Sequence, residues 1–257
     1  MNVEGRSAIV TGGAGGLGAA TVRRFVEIGL GVAVFDRDDT GSAKLVHELG
    51  GRAVAVGGDV TGEDDVRAAI EAAQSVGTLS VVVNVAGGGV RGAGRTVARD
   101  GAPHDLEAFV GTMAMNAVGT FNVTRLAAAA MASNEPDEDG QRGVVVNTGS
   151  VAGLEGQAGQ VAYAAAKAAI LGMTLPLARD LAPMGIRVCA IAPGTMGTPL
   201  MLSAPEQLKE NLVSSIIFPK RMGRPEEFAQ LVEAIVRNPY LNGENIRLDA
   251  ALRFPPK

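Results

Sequence analysis

Short runs rich in β-branched residues alternate with longer Ala- and Leu-rich stretches over most of this chain. The short runs are continuously apolar and predict buried strands at 8–10, 32–35, 53–56, 81–83, 144–146 and 186–191. The longer stretches have helical spacing and predict helices at 19–28, 64–74, 106–131 and 161–181. Strands that alternate with helices form a parallel sheet that is covered on both faces. We therefore expect a single α/β domain over residues 1–257, with a doubly wound parallel sheet in three α/β/α layers.

Charge and cysteine content exclude several classes of protein. With 23 Lys and Arg against 27 Asp and Glu, the formal net charge of −4 offers no general attraction to nucleic acid. Cys189 is the only cysteine and His47 and His104 are the only histidines, so neither a disulfide framework nor a Cys/His metal cluster is expected. The first residues show no signal-peptide pattern, and no uninterrupted apolar run reaches the roughly 18 residues that a membrane span requires. We expect a cytoplasmic protein without a metal ion, a nucleic-acid partner or a membrane partner.

Two segments interrupt the alternation. Residues 87–105 are rich in Gly and Arg and lack apolar periodicity, which predicts a long surface loop. Residues 193–225 are framed by Pro and carry adaptable apolar side chains such as Met196, Met201 and Phe218. This second segment is typical either of a lid over an apolar substrate or of a helical excursion that completes the core.

A glycine-rich turn follows the first predicted strand and precedes the first predicted helix. Its sequence, from Thr11 to Gly18, is TGGAGGLG. Glycines let the backbone approach a pyrophosphate closely, and the N-terminus of the following helix presents free N–H groups to the anion. The position between a strand and a helix is the one that a dinucleotide-binding turn requires.

Asp36 ends the second predicted strand and favours NAD over NADP. A carboxylate at this position accepts hydrogen bonds from both ribose hydroxyls of an adenosine and repels a 2′-phosphate. Arg37 follows directly and could instead bind a phosphate. Either residue could also be a charge at a strand end in water.

A set of polar residues predicts acid–base chemistry. Tyr163 and Lys167 are four residues apart on a predicted helix and share one face, where an ammonium would lower the phenol pKa from about 10. Ser150 follows the fifth predicted strand, at the edge where such sheets bind ligands, and its hydroxyl could hold a substrate oxygen. Asn84–Gly87 ends the fourth strand. Asn116 lies among apolar helix residues and needs a structural hydrogen bond or a water that relays protons.

Together these motifs resemble the short-chain dehydrogenase/reductase family over nearly the whole chain. They are a Thr-Gly-x-x-x-Gly-x-Gly turn, an Asn-x-Ala-Gly strand end and a catalytic Asn, Ser, Tyr and Lys, here Thr11, Gly12, Gly16, Gly18, Asn84, Val85, Ala86, Gly87, Asn116, Ser150, Tyr163 and Lys167. The resemblance implies a Rossmann-type fold and hydride transfer to NAD, with Tyr163 as general base and with Tyr163 and Lys167 also at the cofactor. It further implies NAD contacts from Gly15, Leu17, Asp36, Asp59, Val60, Val85, Pro193, Gly194, Met196 and Thr198, and a place near the substrate for Gln160.

A narrower resemblance leads to the members of this family that oxidise 3-hydroxyacyl-CoA. It is carried by residues 134–137, 140–143, 155–157, 172–183, 197–200 and 238–244. It implies an NAD-dependent homotetramer of fatty acid metabolism that converts 3-hydroxyacyl-CoA to 3-oxoacyl-CoA, with side activity on hydroxysteroids or 2-methyl-3-hydroxyacyl-CoA. Val85 and Met196 depart from the side chains expected there, and Ala250 stands where a glycine is expected.

Three hypotheses stay open beside this interpretation. Arg91, Arg95 and Arg99 recur every four residues and could meet the phosphates of CoA, or they could belong to a solvated loop. An NADPH-dependent 3-oxoacyl-carrier-protein or carbonyl reductase would run the same chemistry in reverse, although Asp36 disfavours it. A non-enzymatic NAD-binding scaffold is disfavoured by the intact catalytic set.

Overall fold

A computed structural model of the protein describes residues 1–89 and 94–255. Its seven strands are β1 (Arg6–Thr11), β2 (Gly31–Asp36), β3 (Ala53–Gly57), β4 (Thr78–Asn84), β5 (Gly143–Thr148), β6 (Ile186–Pro193) and β7 (Asn245–Leu248). All pairs are parallel, in the order β3-β2-β1-β4-β5-β6-β7. The strand order reverses between β1 and β4, and this opens a crevice at the carboxyl ends of the strands.

Helices cover both faces of the sheet and enclose two apolar layers. They are α1 (Gly16–Glu27), α2 (Asp39–Leu49), α3 (Glu63–Ser75), α4 (Leu106–Met113), α5 (Gly119–Met131), α6 (Val161–Leu181), α7 (Pro199–Leu202), α8 (Glu206–Ser214) and α9 (Pro225–Arg237). Phe25 of α1 and Phe228 of α9 pack in one layer, and Ile70 of α3 and Val123 of α5 pack in the other. The predicted three-layer, Rossmann-type single domain is confirmed.

The structure departs from the predicted elements at weakly apolar segments. Strand β7 was not predicted because it is short, polar and only partly buried at the edge of the sheet beside β6. The predicted helix at 106–131 is divided by a π-helical turn, Ala114–Val118, which separates α4 from α5. Single π turns within helices frequently accompany functional sites, and this one carries Asn116.

Helix α6 and the 3-10 turn that follows it are apolar for an unexpectedly long stretch. Val161–Met184 has a mean hydropathy of 1.5 and, alone within the described ranges, is long and apolar enough to cross a membrane by length and composition. The sequence shows no uninterrupted run because Lys167 and Thr174 lie within it. In this fold, both side chains are buried where α6 packs against β6.

The segment predicted as a lid, residues 193–225, has features of both alternatives. It contains α7 and α8, and it contributes the buried side chains of Met196 and Ile216 to the interior, as a helical excursion would. It also places Thr198 and Leu200 against the crevice, as a lid would. The described parts of the predicted loop, 87–89 and 94–105, are irregular except for a bridge between Val97 and Pro103.

Candidate active site

A cavity of about 530 Å³ opens at the carboxyl ends of β1, β2 and β4. Most of the residues predicted to bind a nucleotide line it: Gly12, Gly15, Gly16, Leu17, Asp36, Asp59, Val60, Val85, Ala86, Gly87 and Thr198. Sequence reasoning did not assign Phe35, Gly58, Met115 or Leu200 to the nucleotide, and these residues line the same cavity. Leu200 belongs to a motif of the narrower resemblance, and the fold brings all four to this edge of the sheet.

The glycine-rich turn leaves bare backbone along one wall. Gly12 has φ +62°, and a Cβ added there would lie 2.9 Å from the amide nitrogen of Ala86. A Cβ on Gly16 would lie 2.8 Å from that of Thr198. Helix α1 begins after Gly15 with no side-chain cap from the residues that the structure describes. Uncapped N–H groups behind a wall without side chains fit a pyrophosphate, so the residues present suit a dinucleotide.

Asp36 fixes the far end of this cavity. Its Oδ2 accepts a hydrogen bond from the backbone N–H of Ala14 at 3.0 Å, and its Oδ1 accepts one from Asp38 at 3.0 Å. The carboxylate is thereby tied to the glycine-rich turn. Arg37 turns towards Asp59 instead, with its Nη1 3.7 Å from Asp59 Oδ2. The N–H and hydroxyl of Thr61 hold the pKa of Asp59 below its ordinary value, with a smaller contribution from Arg37.

Thr11 joins the ends of β1 and β4. Its Oγ1 accepts hydrogen bonds from the backbone N–H groups of Val85 and Ala86, each at 3.0 Å. These bonds place the backbone of Val85–Gly87 against the cavity. Thr11 was noted only as part of a motif, and the structure makes it a positioning residue for this wall.

Seven residues predicted to bind the cofactor do not line the cavity: Gly18, Asn84, Tyr163, Lys167, Pro193, Gly194 and Met196. Gly18 packs against Gly12, and the Nδ2 of Asn84 donates to Asn147 at 2.9 Å and to Thr124 at 3.1 Å in the interior. Pro193 pairs with β7, Gly194 packs against Asp249, and the side chain of Met196 is buried in the core. Apart from Tyr163 and Lys167, these residues pack behind the cavity wall and not on its surface.

Ser150, Tyr163 and Lys167 meet beside the cavity. Ser150 follows β5 and caps a 3-10 turn, Val151–Gly153, where its Oγ accepts from Ala152 N–H at 3.1 Å. The phenol of Tyr163 lies close enough to this hydroxyl for Ser150 to lower the tyrosine pKa. The Nζ of Lys167 lies 5.8 Å from the centre of the Tyr163 ring and donates to the carbonyl of Thr148 at 2.9 Å. The predicted triad is therefore assembled from β5, the turn after it and α6.

Burial sets the proton affinities of this group. It raises the pKa of Tyr163, and the nearby hydroxyl of Ser150 offsets only part of that rise. Burial also lowers the pKa of Lys167 to about 8. From the sequence, we expect the ammonium of Lys167 to lower the pKa of the Tyr163 phenol. In this structure the pKa of Tyr163 is raised instead, because desolvation dominates and the Nζ of Lys167 is directed to the carbonyl of Thr148.

Asn116 holds the backbone between β4 and the catalytic group. Its Oδ1 accepts from Gly88 N–H at 3.0 Å, while its Nδ2 donates to the carbonyls of Gly88 at 2.8 Å and Thr112 at 2.9 Å. The side-chain amide is therefore engaged by protein, which favours the structural alternative over a side-chain anchor for water. A Cβ on Gly87 would meet Asn116 Oδ1 and lie 3.2 Å from Lys167 Nζ, so the space at this corner is fully used.

Gln160 and the loop that carries Arg95 and Arg99, which we call the arginine loop, lie near the start of α6. The Oε1 of Gln160, at the start of α6, is buried and has no hydrogen-bond partner in the described part of the chain. Such an atom is available to a polar ligand group. Arg95 and Arg99 are exposed, and the Cγ of Arg95 lies 3.8 Å from a Cβ built on Gly159. Arg91 lies outside the described residues.

Comparison with known proteins agrees with this geometry. The family model for short chain dehydrogenase matches residues 6–209. The chain is 50% identical to 3-hydroxyacyl-CoA dehydrogenase type-2 of Homo sapiens, over 99% of this chain and 98% of the human protein. It is 48% identical to the protein of the same name from Drosophila melanogaster, over 99% of this chain and 100% of the fly protein.

A solved structure is equally similar. The crystal structure of 3-hydroxyacyl-CoA dehydrogenase type-2 from Mycobacterium avium is 52% identical and superposes with a TM-score of 0.97, covering 99% of this chain and 98% of the other. The sheet order, the glycine-rich turn and the Ser–Tyr–Lys arrangement thus occur in a chain whose whole length matches such relatives. The protein is an oxidoreductase that belongs to the short chain dehydrogenase family.

Proposed function

We propose that the protein oxidises 3-hydroxyacyl-CoA to 3-oxoacyl-CoA with NAD as hydride acceptor. The observation that carries the proposal is the meeting of Ser150, Tyr163 and Lys167 beside the cavity that the glycine-rich turn lines, where Lys167 Nζ lies 3.2 Å from a Cβ built on the cavity residue Gly87. The similarity to proteins named for this reaction over nearly the whole chain supports the choice of substrate. Side activity on hydroxysteroids or 2-methyl-3-hydroxyacyl-CoA, and a place in fatty acid metabolism, belong to the same proposal.

Four residues of the chain have distinct roles in the proposed reaction. The C3 hydroxyl of the substrate binds between Ser150 Oγ and the Tyr163 phenol, and Tyr163 takes its proton. When bound, the nicotinamide cofactor supplies the hydride acceptor. Lys167 is the nearby cation that lowers the cost of a phenolate once its Nζ turns from Thr148 towards the tyrosine, and it binds the nicotinamide ribose. Asn116 keeps the backbone of Gly88 in place beside them.

NAD is the proposed cofactor because of the charges at the adenosine end of the cavity. Asp36 lines this end with its two oxygens held by backbone N–H groups, so it cannot swing away from a ribose. A 2′-phosphate would meet this carboxylate directly. Among the described residues that line the cavity, Arg37 is the one cation that would favour a phosphate, and its guanidinium lies near Asp59 and Met115.

Recognition of CoA is proposed for the arginine loop. Arg95 lies beside Gly159, which precedes the start of α6, so its guanidinium is within reach of the entrance to the site. Arg99 is further out on the same loop, and Arg91 shares the spacing. A guanidinium pairs well with phosphate oxygens, and CoA carries phosphates on both sides of its ribose.

We also propose a cytoplasmic homotetramer. Large apolar side chains are exposed along α4, the π turn and α5 (Leu106, Val110, Val118 and Phe121), and along α6 (Val161 and Leu175). Exposed apolar surfaces of this kind mark interfaces between subunits. Native mass spectrometry of the purified protein tests the number of subunits, and cell fractionation tests the location.

The decisive experiment follows absorbance of the reduced nicotinamide. Purified protein is mixed with NAD or NADP and with 3-hydroxybutyryl-CoA, 2-methyl-3-hydroxybutyryl-CoA or a 17β-hydroxysteroid. We expect reduction of NAD by 3-hydroxybutyryl-CoA at the highest kcat/KM. Preference for NADP with a 3-oxoacyl thioester would instead assign a reductase, and binding of NAD without turnover of any alcohol would assign a scaffold.

The same assay tests the arginine loop. The double variant Arg95→Gln/Arg99→Gln is compared with the parent on 3-hydroxybutyryl-CoA and on a short 3-hydroxybutyryl thioester that lacks the CoA nucleotide. We expect the KM to rise for the CoA substrate alone. An equal change for both thioesters would remove the CoA contact from the proposal.

A further inference from the structure

The last described residues of the chain join two parts of the substrate side. We call residues 247–255 the tail. The tail contacts residues 150–155, which we call the catalytic turn. It also contacts residues 216–218, within the segment predicted as a lid. These two parts are separated by more than 60 residues in the sequence, so the tail is their shared support.

An ion-pair network ties the tail to the catalytic turn. Arg247 Nη1 donates to Glu155 Oε1 at 2.7 Å, and Arg247 Nε donates to Asp249 Oδ2 at 2.7 Å. The other oxygen of Glu155 accepts from the backbone N–H of Phe254 at 3.2 Å. Side chains here are largely shielded, with 24% exposure for Arg247, 27% for Glu155 and 8% for Asp249. Shielded, forked pairs of this type hold their geometry better than pairs in open solvent.

The backbone transmits this hold to the catalytic serine. Glu155 N–H donates to the carbonyl of Val151 at 2.8 Å, and Gly153 N–H donates to that of Ser150 at 3.0 Å. Ser150 is the residue that caps this turn. A displacement of Glu155 would therefore move the turn whose first residue carries the substrate-binding hydroxyl.

Apolar contacts complete the link to the lid. Val151, Ile216 and Leu252 form a separate buried cluster, with exposures of 1%, 2% and 0%. One of its members comes from the catalytic turn, one from the lid and one from the tail. The cluster lies apart from the two main layers of the core, so its packing depends on all three segments.

Ala250 is the residue through which the tail holds the lid backbone. Its carbonyl accepts from the N–H groups of Ile217 at 3.3 Å and Phe218 at 3.4 Å. Ala250 and Ala251 have φ of +50° and +60°, a left-handed conformation that residues with a Cβ rarely adopt. Such a pair persists only where surrounding contacts determine it, and the bond from Ala251 N–H to Asp249 Oδ1 at 3.1 Å is one of them.

We propose that Glu155 and Arg247 are positioning residues that set the distance between the Ser150 hydroxyl and the lid, through the tail. This inference rests on the proposed oxidation of a hydroxyacyl thioester, because Ser150 is the residue proposed to bind the C3 hydroxyl of that substrate. None of Glu155, Arg247 and Asp249 lines the nucleotide cavity. We therefore expect the network to affect the KM for the substrate without changing the Kd for NAD.

Glu155→Gln is the test, because it keeps the shape of the side chain and removes its charge. Loss of one charge-assisted hydrogen bond corresponds to roughly a tenfold change in an equilibrium constant. We expect the KM for 3-hydroxybutyryl-CoA to rise about tenfold with kcat reduced less, and the Kd for NAD to stay unchanged. Arg247→Lys keeps the charge without the fork and should give an intermediate KM.

Matched controls separate this effect from a general loss of stability. Arg253→Gln removes a guanidinium from the exposed rim of the same network, and Glu48→Gln breaks an exposed pair with Arg23 on a remote surface. Glu48→Gln should leave the KM within about twofold of the parent, as surface pairs contribute little. Arg253→Gln, which loses pairs with Glu155 and Asp249 from an exposed position, should raise the KM less than Glu155→Gln does. A Glu155→Gln protein whose KM is unchanged, or whose Kd for NAD rises as much as its KM, would overturn the proposal.

Hydrogen–deuterium exchange provides a readout that does not depend on turnover. In the Glu155→Gln protein we expect faster exchange in peptides that cover residues 151–155 and 216–218, with unchanged exchange in β1 and α1. If the parent protein does not oxidise the thioester, this exchange pattern still tests the link between tail, turn and lid. Unchanged exchange in both peptides would overturn the link itself.

Discussion

The nucleotide cavity is lined mostly by residues from the first 90 of the chain, whereas the substrate side is assembled from three segments that lie far apart in the chain. In the glycine-rich turn of the cavity, Gly12 and Gly16 have no room for a side chain. On the substrate side, the turn after Ser150, the lid and the tail meet through side chains such as Glu155 and Arg247.

This difference has consequences for how each region responds to change. A wall of backbone is fixed by local geometry, so a single added methyl group alters it strongly. A junction of three segments has many contacts of moderate strength, so each single substitution there has a smaller effect on its geometry. Four variants test this contrast, beginning with the largest expected effect.

Tyr163→Phe should separate chemistry from nucleotide binding. Removal of a general base lowers the rate by about 10²- to 10⁴-fold. We expect kcat to fall by at least about 10²-fold. The Kd for NAD, measured by fluorescence titration, should change by less than about threefold, since the ring itself is kept. Retained turnover would show that another group accepts the proton.

Gly18→Ala should damage the nucleotide wall. A Cβ at this position would overlap the carbonyl oxygen of Gly12 and lie 2.9 Å from the Cα of Gly13. Overpacking of this kind costs about 1–3 kcal/mol, so we expect a lower free energy of unfolding and an NAD affinity weakened by roughly tenfold or more.

The control for this variant is Gly51→Ala. A Cβ on Gly51 would meet nothing within 4 Å. Urea denaturation and NAD titration of both proteins give the comparison. An NAD affinity equally unaffected in the two would mean that the turn adapts, and that the wall is not set by local geometry.

Asp36→Asn should alter the choice of cofactor. The amide keeps the shape of the side chain but removes the charge that would repel a 2′-phosphate. We expect the ratio of kcat/KM for NAD to that for NADP to fall by roughly tenfold, as the loss of one charged contact implies. A ratio that does not change would assign the discrimination to Arg37 and its neighbours.

Glu227→Gln should have the smallest effect, at the far end of the lid. Two bonds from Arg221, at 2.6 and 2.9 Å, and one from the backbone N–H of Arg224 lower the pKa of Glu227 to about 2. A depressed carboxyl pKa stabilises the fold above its ordinary value near 4.5, and this stabilisation is lost as the pH falls towards 2.

We therefore expect the variant to be less stable by about 1 kcal/mol at pH 7, the usual contribution of a helix N-terminal cap. The difference from the parent should shrink between pH 4.5 and 2. Urea denaturation at pH 7 and pH 3 measures it. A difference that stays constant with pH would mean that packing and not charge connects the lid to α9.

Much of the nucleotide region could be predicted because its signals are local. The turn from Thr11 to Gly18 and the carboxylate of Asp36 follow directly after their strands, so the position of each in the chain predicts its position in the sheet. The pairing of Tyr163 with Lys167 is local in the same sense, because helical spacing alone places them on one face.

The local pattern did not predict every element or side-chain orientation. Strand β7 is polar and short, and no periodicity marks it. Asn84 and Met196 belong to predicted motifs, and the interior position of their side chains is set by packing between strands and loops. The proton affinity of Tyr163 also depends on how deeply the fold buries it, which the spacing to Lys167 does not determine.

The alternation of strand and helix, the glycine-rich turn, and the residues available for nucleotide binding and proton transfer all follow from local sequence. These depend on neighbours within a few residues, where steric limits and helical spacing act directly. Only the tertiary structure decided the orientation of Asn116, the proton affinities, and the meeting of turn, lid and tail at Val151, Ile216 and Leu252. Those depend on burial and on contacts between distant segments, which exist only after the chain has folded.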